Sequence, residues 1–425
     1  MTRALDKNRR RGLLTCATAF AGLLAAGPVS AQSLFVNDAT VHTMGPQAVL
    51  QNADILVRDG RVSEIGFNLP TPADAVVIEA NGRPVTPGFF AGITQLGLVE
   101  IAAEEPVTDT NLAVEILRPE YDVTPGFNPL ATAIPVTRIE GYSWSVLGAS
   151  RPGSMVGGQG RAVLLDDGHA SFVSDRILFI DLGLDAAAEG TSSRAGQWML
   201  LEQAISEATA ETPWLPEPVL TLAGRRDLAN YLSGALTVFQ VDRASDILQV
   251  LEFAGRHGLK PVISGGGEAW MVADRLAEGG VPVLLDALAN LPGSFDQLGA
   301  RLDNAAILHA AGVTIAFAGA GTHQARKLRQ VAGNAVANGL PYEAGLLAMT
   351  ANPAAIFELG DGIGTLQAGS RADLVVWSGD PLEVTSVAEQ VVIGGKPVPM
   401  VSRQTLLRDR YLPPNPTLPR AYIKP

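Results

Sequence analysis

The sequence predicts an α/β fold: a core of alternating strands and helices, flanked at both chain ends by β-segments that close into one β-domain beside a barrel. Three observations lead there. Between residues 240 and 360, short apolar strands alternate with helical stretches, the pattern of a parallel sheet with crossover helices. Residues 33–86 and the stretch from Ala372 to Lys396 read instead as short strands separated by Gly-containing turns. The chain has 425 residues, 47% of them apolar and 17% charged, enough to bury a large core and too apolar for a solvated, disordered chain.

In chain order, residues 1–31 read as an export signal. Arg3, Lys7, Arg9, Arg10 and Arg11 form a basic start, Leu13 to Ala26 an apolar run, and Val29-Ser30-Ala31 a small-residue cleavage site before Gln32. The run is too short and too rich in Ala and Gly for a good membrane span. Arg10-Arg11 also fits a twin-arginine signal loosely, so general secretion and the twin-arginine route both stay open. Leu34-Phe35-Val36, Asp54 to Val57, Val62 to Ile65 and Val76-Val77-Ile78 are strands, with hairpin turns at Asp59-Gly60 and Asn81-Gly82. In the middle of the chain, Val136 to Ile139 and Tyr142 to Leu147 look like strands, Gly157 to Gly160 like a turn, and residues 184–211 like a helix.

Asp242 or Ser245 can cap a helix ending at His257-Gly258. Pro261 to Ser264 is a buried strand, and Gly265-Gly266-Gly267 turns into a further helix. Val281 to Leu285 and Val313 to Phe317 are strands, with a helix from Phe295 to Ala310 between them. Asn338-Gly339 stops a helix and Pro341 opens another. Ala372 to Trp377 and Val391 to Lys396 return to β-structure, and the Pro-rich residues 411–425 are expected to run over the surface.

Composition narrows the function. The net charge of −12 argues against nucleic acid, which needs clustered Lys and Arg. Removal of the leader, which holds five of the 31 basic and one of the 43 acidic residues, would leave −16. The single cysteine, Cys16, would leave with it, excluding disulfides, thiolate catalysis and cysteine-ligated zinc from the remainder. No later stretch is long and apolar enough to span a membrane. The expected location is the periplasm. Five histidines are scattered as His42, His169, His257, His309 and His323, with no His-x-His and no His-x-x-x-His.

Several motifs carry a resemblance. Val85-Thr86-Pro87-Gly88-Phe89-Phe90 is similar to the "V-x-P-G-L-I-D" segment that leads into the barrel of the amidohydrolase superfamily. Thr350-Ala351-Asn352-Pro353-Ala354 matches its "T-x-N-P-A" helix, and Gly362 to Val376 with Gly379-Asp380-Pro381-Leu382 is similar to the motif that leaves the barrel. Across nearly the whole chain after the leader, the sequence resembles that superfamily, particularly its imidazolonepropionase-like members. The resemblance implies a distorted (β/α)8 TIM barrel over residues 87–365. It also implies a composite β-sandwich from residues 32–86 and 366–410.

In such barrels chemistry sits at the C-terminal strand ends. The resemblance implies a divalent metal such as zinc, held by a His-x-His on strand one, a Lys or Glu on strand four, single histidines on strands five and six, and an Asp on strand eight that acts as base. This chain departs from that pattern. Strand one reads Ala91-Gly92-Ile93-Thr94-Gln95, so Ile93 and Gln95 replace the imidazoles. The "V-H-A" segment of a later strand reads Phe239-Gln240-Val241, the next histidine falls near Gly265 or Gly266, and the strand-eight aspartate at Ala320 or Gly321. The strand-four residue has no secure place. No cofactor is therefore expected, since Ile93 has no lone pair and neutral amides are weak zinc ligands.

Four residues are candidates for a rebuilt site. Gln95 and Gln240 are expected to face each other across the barrel mouth, as amide recognition or as a purely structural pair. His323 is a possible acid or base, or a solvated helix start. Glu268 is a base at the rim, or a carboxylate serving the helix it opens, where three glycines could also cradle an anion. The other four histidines read as structural or solvated. Two functions remain: an exported hydrolase of C–N bonds in a small, non-peptide or cyclic amide with the usual metal site lost, or a non-catalytic pseudoenzyme. The latter would bind a small ligand or assemble with a metal-bearing homologue. Either is expected to form homo- or hetero-oligomers.

Overall fold

A computed structural model of the protein describes residues 33–101, 108–110, 112, 117–149, 154–166, 168, 171–184, 193–210, 217–319 and 321–412. The leader, His169, Ala320 and residues 413–425 lie outside the described residues.

The first sheet joins both ends of the described chain. β1 (Leu34–His42), β2 (Val49–Arg58), β3 (Arg61–Gly66), β4 (Val76–Glu79) and β5 (Pro84–Pro87) come from one end. β15 (Leu374–Trp377), β16 (Ala388–Ile393) and β17 (Lys396–Pro397) come from the other. The order is β17-β16-β15-β5-β1-β2-β3, with β4 also on β1. The β2–β3 turn places Asp59 at φ 52° and Gly60 at φ 77°, the left-handed pair that a two-residue hairpin of this twist requires. The seam between the two ends is the antiparallel pairing of β5 with β15, Leu374 opposite Pro87. Across it the Trp377 indole donates to Thr86 Oγ1 at 2.9 Å.

The rest of the α/β core forms two mixed sheets, neither closed on itself. β6 (Phe89–Thr94), β7 (Tyr142–Leu147) and β9 (Ala162–Leu164) make one. β8 (Val156–Gly160), β10 (Ile177–Asp181), β11 (Leu236–Val241), β12 (Lys260–Gly265), β13 (Val283–Leu285) and β14 (Ile315–Phe317) make the other, with β10 to β14 all parallel. Residues 156–164 serve both sheets: β8 pairs with β10 and β9 with β7. β6 and β14 stand at the two free edges, and the segment after β14 links them. Thr322 Oγ1 accepts from Gln95 N–H at 3.0 Å, and the Tyr142 hydroxyl accepts from Arg329 N–H at 2.8 Å.

Strand residues divide by parity between two cores. Leu178, Ile180, Phe239, Val241, Ile263, Val283 and Phe317 pack with helical residues such as Leu201, Ile247, Leu276 and Leu308. Ile177, Phe179, Val238, Val262, Leu284 and Ala316 pack instead with Phe90, Trp144 and Val146 of the smaller sheet. The second set is thus an interior shared by the two sheets, as a barrel demands. Phe357 closes its lower end, with ring centroids 5.8 Å from Phe90 and 6.5 Å from Trp144.

Three local expectations are corrected. Val136 to Ile139 is not a strand: Ala133–Arg138 is helical, because Ile134 and Thr137 bury there and packing outweighs the strand propensity of β-branched residues. Gly157 to Gly160 is strand, not turn. Its glycines permit close backbone approach, since a Cβ on Gly158 would lie 2.4 Å from Tyr121 O. The helix expected from Phe295 starts only at Asn304. The residues before it are held in an irregular loop by the polar contacts described next.

Candidate functional site at the strand ends

One row of register partners crosses the larger sheet: Asp181, Gln240, Ser264, Leu284 and Ala316. Leu284 and Ala316 belong to the interior core, so Asp181, Gln240 and Ser264 present their side chains to the same face. They stand at the C-terminal ends of β10, β11 and β12, one strand spacing apart, roughly 4.8 Å. Beside them the interior is apolar: Ile93 and Ala318 pack against the core that contains Phe179. A Cβ on Gly148 would lie 2.5 Å from Ile93 Cγ2 and 3.9 Å from the Phe179 ring. The position the superfamily gives to an imidazole is therefore part of a hydrophobic floor.

Asp242, just past β11, joins this group. A Cβ on Gly265 would meet Gln240 Nε2 and Asp242 Oδ1, each at 2.7 Å, so both side chains close over the same glycine. Gly265 sits at φ 100° and has no side chain to separate them. Asp242 Oδ1 accepts from Gly267 N–H at 3.0 Å, and Oδ2 accepts from Gln297 Nε2 at 3.0 Å. Burial pushes this carboxyl above the usual aspartate range, opposed by those two donors and assisted by the charges of Asp296 and Glu268.

Glu268 sits behind Asp242. It is buried, and its two oxygens accept from Ala244 N–H at 3.0 Å and Gly299 N–H at 2.9 Å. Those bonds staple the 286–303 loop to the start of the helix Ala244–His257. Asp296 reinforces the staple by accepting from Leu184 N–H at 2.7 Å and from Arg194, whose guanidinium also pairs with Asp246 at 2.9 Å.

The four sequence candidates thus fall into two groups. Gln240 lies with Asp242, and Glu268 anchors the loop next to them. Gln95 lies across the interior on the β6 edge, bonded through its N–H to Thr322, next to exposed His323. Beneath Gln95, Thr94 and Ser145 share a 2.7 Å hydroxyl contact, and Ser145 donates to Gly92 O at 2.9 Å. Three site residues were not singled out from the sequence: Asp181, Asp242 as more than a cap, and Ser264. Asp181 ends the fourth strand counted from β6, with β8–β9 as the third, which is where the strand-four ligand could not be placed. A polar residue closing an otherwise apolar run, Ile177 to Asp181, was the available signal.

Among the described residues no three His, Cys, Asp or Glu side chains are grouped so as to hold a metal. The side chains at the relevant strand ends are an isoleucine, two neutral amides, a serine and a single carboxylate, Asp181, a donor set without imidazole that does not fit a tightly held zinc ion.

A model of the amidohydrolase family matches residues 307–399. The chain is 46% identical over 57 residues to the amidohydrolase tasK of Hapsidospora irregularis, and 37% identical over 73 residues to the imidazolonepropionase of Mycolicibacterium smegmatis. These matches span 13% and 17% of this chain but only 6% and 18% of those relatives' lengths. The fold extends the likeness to most of the chain. An amidohydrolase from Thermotoga maritima superposes with a TM-score of 0.75 at 26% identity, over 87% of this chain and 100% of that one. The chain belongs to the amidohydrolase superfamily. Molinate hydrolase shares only the fold, with a TM-score of 0.54 at 14% identity over 93% of this chain and 100% of that one. Such neighbours imply a TIM-barrel-like α/β fold, although the two mixed core sheets of this chain are not closed into one barrel among the described residues.

Proposed function

We propose that the protein is an exported hydrolase of C–N bonds in a small amide, working at the β10–β12 strand ends without a tightly bound divalent metal. The observation that carries this reading is the juxtaposition of Gln240 and Asp242 over Gly265 beside the Asp181–Gln240–Ser264 row. Burial raises the Asp242 carboxyl above the usual aspartate range, which makes it a stronger proton acceptor than an exposed carboxylate. In the proposed reaction Asp242 accepts a proton from water as its oxygen bonds to the amide carbon. The Gln240 side-chain amide donates to the oxygen that gains charge. The C–N bond then breaks, the proton passes to the departing nitrogen, and a carboxylic acid and an amine are released.

Turnover of cyclic amides, N-acyl amino acids and amino-acid amides by the purified protein, with its metal content assayed, tests this. Asp242→Asn is expected to lower kcat at least about a hundredfold, the usual scale for a lost general base. Turnover that survives Asp242→Asn, or appears only with stoichiometric zinc, would sink the mechanism. The competing reading is a ligand-binding pseudoenzyme, alone or assembled with a metal-bearing homologue. It is favoured by the hydrogen bonds that already occupy both oxygens of Asp242, and it predicts saturable binding with no product. Export to the periplasm predicts a chain beginning at Gln32, read by N-terminal sequencing after cell fractionation. Among the described residues no helix is long and apolar enough to cross a membrane.

A further inference from the structure

The helix Arg403–Tyr411 buries none of its residues. A reciprocal capping box fixes its start: Ser402 Oγ accepts from Thr405 N–H at 3.3 Å, and Thr405 Oγ1 accepts from Ser402 N–H at 2.8 Å. Beyond that turn its apolar side chains are uncovered, with Leu406, Leu407, Tyr411 and Leu412 between 43% and 72% exposed. A helix of nine residues is too short to be stable in water by propensity, and such helices draw their stability from a packed apolar face. Charge adds a second observation. Residues 403–425 hold five basic and one acidic residue, a net +4, whereas residues 1–402 carry a net −16. Among the described residues Arg403 and Arg410 have no carboxylate partner, and Arg408 pairs with its neighbour Asp409 at 2.8 Å, both side chains exposed.

A surface of complementary character is linked to this helix by a short run of contacts. In the connection between β15 and β16, Val384 and Val387 are 62% and 53% exposed. Beside them Glu383 is exposed and has no basic partner among the described residues. The helix Arg403–Tyr411 touches the helix Ala133–Arg138, which touches the turn Thr322–Lys327. Just past that turn, Arg329 donates to the main-chain oxygens of Glu383 and Ser386 and so fixes the connection. Helix and connection cannot cover each other within one chain as it stands, but a two-fold pair can exchange them, which closes the assembly at two copies.

We propose that the helix Arg403–Tyr411 docks on the Glu383–Val387 connection of a second copy of this chain, each copy covering the other. Leu406 and Leu407 meet Val384 and Val387, and the arginines face Glu383. The pattern around the helix favours a protein surface over a lipid one. At about 100° per residue, Arg403 and Arg410 project between Leu406 and Leu407, so charge and apolar surface are interleaved. A helix lying in a membrane interface keeps them on opposite faces. Interleaving suits a surface on which a carboxylate stands among apolar groups, as Glu383 does.

Sedimentation velocity of the purified protein over roughly 1–100 μM tests this, with a monomer–dimer equilibrium expected at a Kd in the micromolar range. Added salt should weaken it. Leu406→Glu with Leu407→Glu is expected to leave monomer with an unchanged near-UV circular dichroism spectrum, because both side chains are exposed in the single chain. Arg403→Glu with Arg410→Glu should weaken association about tenfold or more, and adding Glu383→Arg to the same chain should restore most of it. A protein that is monomeric at 100 μM would overturn the proposal, as would a dimer that these variants leave intact or a charge reversal that Glu383→Arg does not rescue. Co-sedimentation with phosphatidylglycerol vesicles by a protein that stays monomeric in buffer would overturn it in favour of a lipid surface.

Discussion

His42 shows how much a single side chain can report. It sits at the end of β1, 9% exposed, with its Nδ1 buried and without a hydrogen-bond partner. Its ring centroid is 6.3 Å from that of Tyr342, whose hydroxyl donates to Asp380 Oδ1 at 2.9 Å. Burial lowers its pKa below 6.5, and the charges of Asp380 and Glu343 oppose that shift. The unfolded chain therefore takes up this proton more readily than the folded one. The stability contributed by the neutral ring is complete above pH 6.5 and is lost as pH falls through 6.5 toward the lower folded value. Thermal midpoints across pH 5 to 8 should fall on the acid side, and His42→Gln should flatten that fall. An unchanged slope would remove His42 as its cause. The sequence placed this histidine in the β-domain but could not show its burial, which depends on Tyr342 some three hundred residues later in the chain. Ile93, Gln95 and Gln240 were legible because a motif fixes their position. Asp181 and Ser264 were not, because only register aligns them.

Among the elements, the strand 156–164 and the segment after β14 decide whether the two core sheets form one interior. A Cβ on Gly160 would lie 1.8 Å from Leu147 O, a backbone atom that cannot yield locally. Gly160→Ala is expected to destabilise the protein by roughly 2 kcal/mol or more in urea denaturation. A change under about 0.5 kcal/mol would mean that the two sheets can separate at this point without cost. On the other side, Arg329 is 3% exposed and donates to three main-chain oxygens, those of Pro381 (3.2 Å), Glu383 (2.6 Å) and Ser386 (2.6 Å). Its guanidinium carbon lies 5.6 Å from the Trp377 ring centroid. Arg329→Met leaves those carbonyls buried without donors, and should cost about 2–4 kcal/mol by the same assay. Neither glycine nor arginine announces such a role in sequence. Gly157 to Gly160 reads as a turn until the neighbouring backbones are in place.

At the scale of the whole molecule, one face of the composite sheet packs into the α/β core, while its other face buries a cluster of its own that includes Leu34, Ile55, Leu374 and Val392. Val375 and Trp377 of β15 and Val391 and Ile393 of β16 belong to the same cluster as Phe89, Tyr142, Leu346 and Met349. Elements that share buried apolar surface lose it together. Denaturation followed by tryptophan fluorescence and by far-UV circular dichroism should therefore give coincident, single transitions. Two separated transitions would mean that the sheet and the core unfold independently. Deleting residues 366–412 should leave no soluble protein, because it exposes the β5 edge and removes one wall of that core.

The sequence by itself determined the lineage. Alternating strands and helices, Asp-Gly and Asn-Gly hairpin turns, and the motifs around Pro87, Asn352 and Asp373 are local patterns, and local patterns survive without knowledge of neighbours. It also determined that the usual imidazoles are missing, since absence at a motif position needs no coordinates. Only the tertiary structure decided what stands in their place. Ile93 joins an apolar floor, Glu268 becomes a staple for a loop, and Asp181, Gln240 and Ser264 fall into one row. Register between parallel strands is set jointly by their hydrophobic pattern, the crossover helices and core packing, so a row that spans three strands exists only once the chain has folded.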